Sequence, residues 1–156
     1  MSESNERITV HRQINAPASA IFSVLTTAQG HVDIDGSGML VGAPGNTQAA
    51  AVGDKLVIDM HQDAFGDYTM ANRITRFEPN AALEWFPAAA ASGDGAGVVY
   101  GYELAAVSDS ATDVTSYYDW SGAGEQIKAS GMLPLVSAEM LEATLGKLET
   151  VAQSKA

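Results

Sequence analysis

Gly97-Val98-Val99-Tyr100-Gly101-Tyr102-Glu103-Leu104-Ala105-Ala106-Val107-Ser108-Asp109-Ser110-Ala111-Thr112-Asp113-Val114-Thr115-Ser116-Tyr117-Tyr118-Asp119-Trp120 is the stretch on which the fold turns. Val98, Tyr100, Tyr102 and Leu104 alternate with Val99, Gly101 and Glu103. Beyond Ser108-Asp109-Ser110, Val114, Ser116, Tyr118 and Trp120 alternate with Asp113, Thr115, Tyr117 and Asp119. Two runs of period two joined by a short turn predict antiparallel, half-buried strands.

The same period extends upstream. Residues 54–61 set Leu56, Ile58 and Met60 against Lys55, Asp59 and His61, and residues 67–78 set Tyr68, Met70, Asn72 and Ile74 against Thr69, Arg73 and Thr75. Leu83 and Trp85 share a face, and Met39-Leu40-Val41 allows one short strand. Phe65-Gly66-Asp67, Glu78-Pro79-Asn80 and Gly93-Asp94-Gly95 punctuate these runs as turns. A first strand is expected over residues 7–14, where Ile8, Val10 and Ile14 keep period two. Pro17 then suits a first helical turn, Ile21, Phe22, Val24 and Leu25 follow at helical spacing, and Gly30 is expected to end that helix near Gln29. A second short helix or turn is possible over residues 31–35.

Downstream, residues 122–131 allow only a helical turn. Ser137 then reads as the cap of a long terminal helix whose Leu141, Leu145, Leu148 and Ala152 form one apolar stripe. One stripe asks for one apolar surface, and the sheet supplies it. The order β, α, possible α, about six antiparallel strands and a terminal helix defines an α+β domain.

Composition narrows the function. The chain has 156 residues, 46% of them apolar, with eight Lys and Arg against 19 Asp and Glu and a formal net charge of −11. That length fits one domain with one core, expected over residues 7–156 behind a disordered tail at 1–6. The absence of cysteine excludes a disulfide scaffold, thiolate zinc sites and cysteine nucleophiles. The acidic surplus would repel phosphate backbones, so no nucleic-acid partner is expected. Mean hydropathy is +0.01, and no apolar run approaches the ~18 residues of a membrane span. The polar start resembles neither a signal peptide nor a presequence, so a cytoplasmic protein without membrane insertion is expected.

Several weak motifs fail. Asp33-Ile34-Asp35-Gly36-Ser37-Gly38 opens like a calcium loop, but its twelfth position is Pro44 where a bidentate Glu is required. Gly93-Asp94-Gly95-Ala96-Gly97 lacks the spacing of a phosphate loop, and no nucleophile elbow occurs. No metal and no cofactor are expected.

Five segments carry a family resemblance: Ile14-Asn15-Ala16-Pro17, His31-Val32-Asp33-Ile34-Asp35-Gly36-Ser37-Gly38, Val52-Gly53-Asp54-Lys55-Leu56, Asn72-Arg73-Ile74-Thr75-Arg76-Phe77-Glu78-Pro79 with Leu83-Glu84-Trp85, and Tyr118-Asp119-Trp120-Ser121-Gly122. In order and spacing they resemble the START-like, helix-grip (SRPBCC) superfamily of the birch-pollen-allergen fold. The nearest likeness is to its bacterial polyketide cyclase/dehydrase and lipid transport branch. The resemblance implies a curved sheet of about seven antiparallel strands gripping the terminal helix around an apolar cavity. It also implies small hydrophobic or aromatic cargo, and it fixes no reaction.

Strand parity names the cavity candidates independently. With Leu104 and Val114 facing the helix, Tyr68, Asn72, Trp85, Tyr100, Tyr102, Ser116, Tyr118 and Trp120 turn inward as a ligand-binding set. The alternative is that these aromatics only pack the core. No inward strand position is Asp, Glu or His, which leaves His31, Asp33 and Asp35 as candidates for acid–base work, His31 and Asp35 foremost. The bland expectation is that Asp35 caps a turn and His31 is a half-exposed rim residue; the sharper alternative is that the two form an oriented imidazole. Two functions follow: a non-catalytic binder of a lipid- or polyketide-like molecule, or a cyclase/dehydratase acting on a carbonyl substrate with His31 as acid/base. A vestigial, collapsed cavity is a third. The oligomeric state is left open, a homodimer included.

Overall fold

The computed structural model describes residues 6–155. Strand β1 (Arg7–Ile14) leads into helices α1 (Ala18–Leu25) and α2 (Ala28–Ile34). Six strands follow: β2 (Leu40–Gly42), β3 (Lys55–Gln62), β4 (Gly66–Glu78), β5 (Ala82–Ala89), β6 (Val99–Ser108) and β7 (Ala111–Asp119). A single-turn α3 (Glu125–Ala129) and the long α4 (Ala138–Lys155) close the chain. The strands form one antiparallel sheet in the order β1-β7-β6-β5-β4-β3-β2, curled around α4. The decisive stretch pairs as its parity requires, with Tyr100 opposite Tyr118, Tyr102 opposite Ser116 and Leu104 opposite Val114.

Of the tail expected over residues 1–6, residues 1–5 lie outside the described residues. Glu6 accepts the Trp120 N–H at 2.9 Å, and its carboxylate lies 2.8 Å from Lys128 Nζ.

The first helix departs from expectation. It ends at Leu25 rather than near Gln29, because Thr27 starts a second helix by accepting the Gly30 N–H on its hydroxyl at 3.0 Å. Gly30 therefore lies inside α2, and its role is close approach. A Cβ there would stand 1.9 Å from the Val24 carbonyl oxygen, so only glycine lets α2 fold back on α1. Strand β4 carries a register shift between Ile74 and Arg76: Ile74 opposes Trp85, and Phe77 opposes Leu83. The extra residue resets the alternation and turns Phe77 onto the core, where its ring meets Phe22 edge-on at 5.4 Å.

The core is divided along α4. Its C-terminal half is packed solid: Leu145, Leu148 and Ala152 are fully buried with Ile14, Ile21, Val24 and Leu25. Polar contacts lock this half to β1, with Glu149 accepting from Arg12 at 2.8 Å and from the Asn15 N–H at 3.0 Å. The N-terminal half starts at Ser137, whose hydroxyl accepts the Met140 N–H at 3.2 Å. Beneath this half the core is not filled.

Candidate functional site

A cavity of about 200 Å³ lies between the inner face of the sheet and the first turns of α4. Leu141 and Thr144 line it from α4, His31 and Ile34 from α2, and Ile58, Met60, Tyr68, Met70, Asn72 and Trp85 from β3, β4 and β5. Tyr100 and Tyr102 of β6 and Ser116 of β7 complete the sheet side. Its size slightly exceeds that of an engineered apolar cavity of about 150 Å³ that takes benzene, so it suits a ligand of one or two rings.

Its wall is an aromatic ladder. Trp85 stacks on Tyr100 and on Tyr102, each at 5.8 Å, and Tyr100 stacks on Tyr118 at 4.3 Å with planes 7° apart. Strand pairing alone produces this, since Trp85 opposes Tyr100 across β5–β6 and Tyr100 opposes Tyr118 across β6–β7. Burial raises the phenol pKa of Tyr100 and of Tyr102, which keeps both hydroxyls neutral.

Eight of the ten expected site residues surround this space: His31, Asp35, Tyr68, Asn72, Trp85, Tyr100, Tyr102 and Ser116. Tyr118 and Trp120 do not reach it. Tyr118 is fully buried behind Tyr100, with its hydroxyl accepting the Leu135 N–H at 3.2 Å, and Trp120 packs on Tyr118 at 5.1 Å. Both point inward, as parity requires, but into solid core. Parity reports the face of a residue and not whether the space before it is filled. Leu135 and Val136 also line the cavity from the loop before α4, and their irregular backbone gave no periodic signal.

The alternative His31–Asp35 pair is not formed, and Asp35 caps the turn as the bland reading expects. Asp35 Oδ1 accepts the Ser37 N–H at 2.9 Å and the Ser37 hydroxyl at 2.6 Å, and Oδ2 accepts the Gly38 and Leu40 N–H groups at 2.9 and 3.2 Å. The carboxylate organises the loop into β2. His31 is only 6% exposed and is no rim residue; its Nε2 lies 2.7 Å from the Leu25 carbonyl oxygen and its ring meets Trp85 edge-on at 4.8 Å. Burial lowers its pKa to about 4, outweighing the opposing effect of the Leu25 bond. The imidazole is neutral near pH 7 and is a weak base there. Among the described residues no three His, Asp or Glu side chains are grouped to hold a metal ion, and no helix is long and apolar enough to cross a membrane.

A seven-stranded antiparallel sheet curled around a C-terminal helix, with space left between them, is the helix-grip fold of the START-like (SRPBCC) superfamily, and the chain has that fold. Solved structures agree along nearly the whole chain. The Zhui aromatase/cyclase of a Streptomyces species matches with a TM-score of 0.66 and 17% identity over 96% of this chain and 94% of its own. Norcoclaurine synthase of Thalictrum flavum matches with a TM-score of 0.64 and 13% identity, covering 100% and 99%. A Mesorhizobium loti protein gives 0.62 and 20%, covering 96% and 98%. No protein-family model matches the chain. An uncharacterised protein of Mycobacterium tuberculosis is 28% identical over 148 residues, 91% of this chain, which spans 62% of that protein's length.

Proposed function

We propose that the protein binds a small hydrophobic or aromatic, lipid- or polyketide-like molecule in the cavity under α4. The observation that carries this reading is a cavity walled by the Trp85–Tyr100–Tyr102 ladder and aliphatic side chains, with Asp35, its one carboxylate among the described residues, already spent on four loop hydrogen bonds. Aromatic faces give large contact area at little entropic cost, and a few polar atoms orient the guest. The test is native mass spectrometry of gently purified protein, followed by denaturing extraction. A stoichiometric small molecule of this class supports binding. A protein that arrives empty and takes up no apolar aromatic probe defeats it.

A cyclase or dehydratase acting on a carbonyl compound is the second reading, favoured by the placement of His31 on the cavity wall. Its weakness is the same residue's pKa of about 4. Transfer of a carbon-bound proton needs a base matched to the working pH, and His31 is poorly matched. His31→Gln separates the readings: turnover of a poly-β-keto substrate would be abolished in an enzyme, whereas a binder has no turnover to lose.

A further inference from the structure

Two polar side chains of the cavity, one on α2 and one on β4, are anchored in the same way. His31 Nε2 lies 2.7 Å from the Leu25 carbonyl oxygen. A carbonyl only accepts, so Nε2 carries the hydrogen, and in the neutral ring Nδ1 is left as a bare acceptor. Asn72 Nδ2 donates to the Leu56 carbonyl oxygen at 3.0 Å, which fixes the amide orientation and leaves Oδ1, also an acceptor, on the other side. Among the described residues neither Nδ1 nor Oδ1 has a protein partner, yet no buried side-chain nitrogen or oxygen is left both sealed off and unpaired. Both residues are 6% exposed and line the cavity, so the two acceptors open onto it.

The two flank a single aromatic wall. His31 touches Trp85, and Asn72 pairs across β4–β5 with Pro87, two residues along from Trp85. Among the described residues no Lys or Arg lines the cavity. A bound carboxylate would find neutral hydroxyls and these two acceptors but no cation to balance it, and an uncompensated buried charge is strongly disfavoured.

We infer that the cavity selects an uncharged aromatic alcohol, a phenol or its fused-ring equivalent, whose O–H donates to His31 Nδ1 or Asn72 Oδ1. This inference rests on the binding reading above and deepens it, since burial in a greasy cavity would accept ethers and hydroxyls alike. A guest without a donor leaves the buried acceptors unpaired and loses about tenfold in affinity.

The test is calorimetric titration of the full-length protein at pH 7 with three matched probes, 2-naphthol, 2-methoxynaphthalene and 2-naphthoate. The expected order is naphthol about tenfold tighter than its methyl ether, with naphthoate weakest. Equal binding of naphthol and ether overturns the donor requirement and leaves the cavity reading standing. Tightest binding of naphthoate overturns the exclusion of anions. If none of the three binds, the cavity reading fails and this inference fails with it. A second measurement needs no variant. Long-range proton–nitrogen correlation should show His31 as the Nε2–H tautomer, with the Nδ1 resonance moving on addition of naphthol and staying in place with the ether. An Nδ1–H tautomer overturns the assignment.

Discussion

The N–H of Gly36 donates to the hydroxyl of Thr144 at 2.9 Å, tying the loop after α2 to the part of α4 that roofs the cavity. The approach is so close that a Cβ on residue 36 would lie 2.7 Å from the Met140 carbonyl oxygen and 2.8 Å from the Thr144 nitrogen. Helix backbone cannot yield as a flexible side chain would. Gly36→Ala should lift α4 from the loop and cost about 1–3 kcal/mol. Urea denaturation measures this, and an unchanged midpoint would show that the helix stands off the loop in solution.

Burial of His31 makes stability depend on pH in a defined window. The folded-state pKa is depressed from 6.5 to about 4, so folding favours the neutral ring. Above 6.5 the imidazole is neutral in both states and contributes no pH dependence. As the pH falls below 6.5 the unfolded chain takes up a proton that the native protein refuses, and stability drops until the native ring also protonates near pH 4. The loss from this one group reaches about 3 kcal/mol. His31→Gln removes the titration, so the difference between wild-type and variant stability should change by that amount between pH 7 and 4. A difference that stays constant across the window would mean that the imidazole is solvated.

Asp35 belongs to the loop and not to His31. Asp35→Ala strips the acceptor from the Ser37, Gly38 and Leu40 N–H groups and should cost about 2 kcal/mol, water replacing part of what is lost. The His31 titration, followed by its ring proton resonances, should be almost unmoved. A shift of a pH unit or more would couple the two and restore the acid–base dyad as a candidate.

Most of the sheet was legible because one face of each strand is apolar and period two is hard to imitate. The cavity wall followed from that parity, and the limits of parity mark where the reading stopped. Tyr117 has outward parity, yet it is only 3% exposed. Gly101 leaves room for its ring, since a Cβ there would lie 2.2 Å from Tyr117 Cζ; Arg7 covers the face at 4.3 Å, and Glu84 accepts its hydroxyl at 2.7 Å. Such a platform depends on four strands at once, and no single run of sequence displays it. The alternative His31–Asp35 dyad failed for a related reason. Spacing put the two residues close, while the loop offered Asp35 three backbone N–H groups and the Ser37 hydroxyl, and the end of α1 offered His31 a carbonyl. Local backbone groups compete for polar side chains, and here they outcompeted the dyad.

Val98 supplies the sharpest test of whether the space is real. It is 5% exposed and lines the cavity from the entry of β6. In a filled core, Val98→Phe would be overpacked and cost about 1–3 kcal/mol. Beside an open cavity of about 200 Å³ the larger ring has somewhere to go, so stability should stay within about 1 kcal/mol of wild type. The same ring occupies the space a ligand needs, and affinity for 2-naphthol should fall by an order of magnitude or more. Thermal denaturation and calorimetric titration of one variant therefore read the same volume twice. A strongly destabilised variant with unaltered affinity would place the ligand elsewhere and close the cavity in solution.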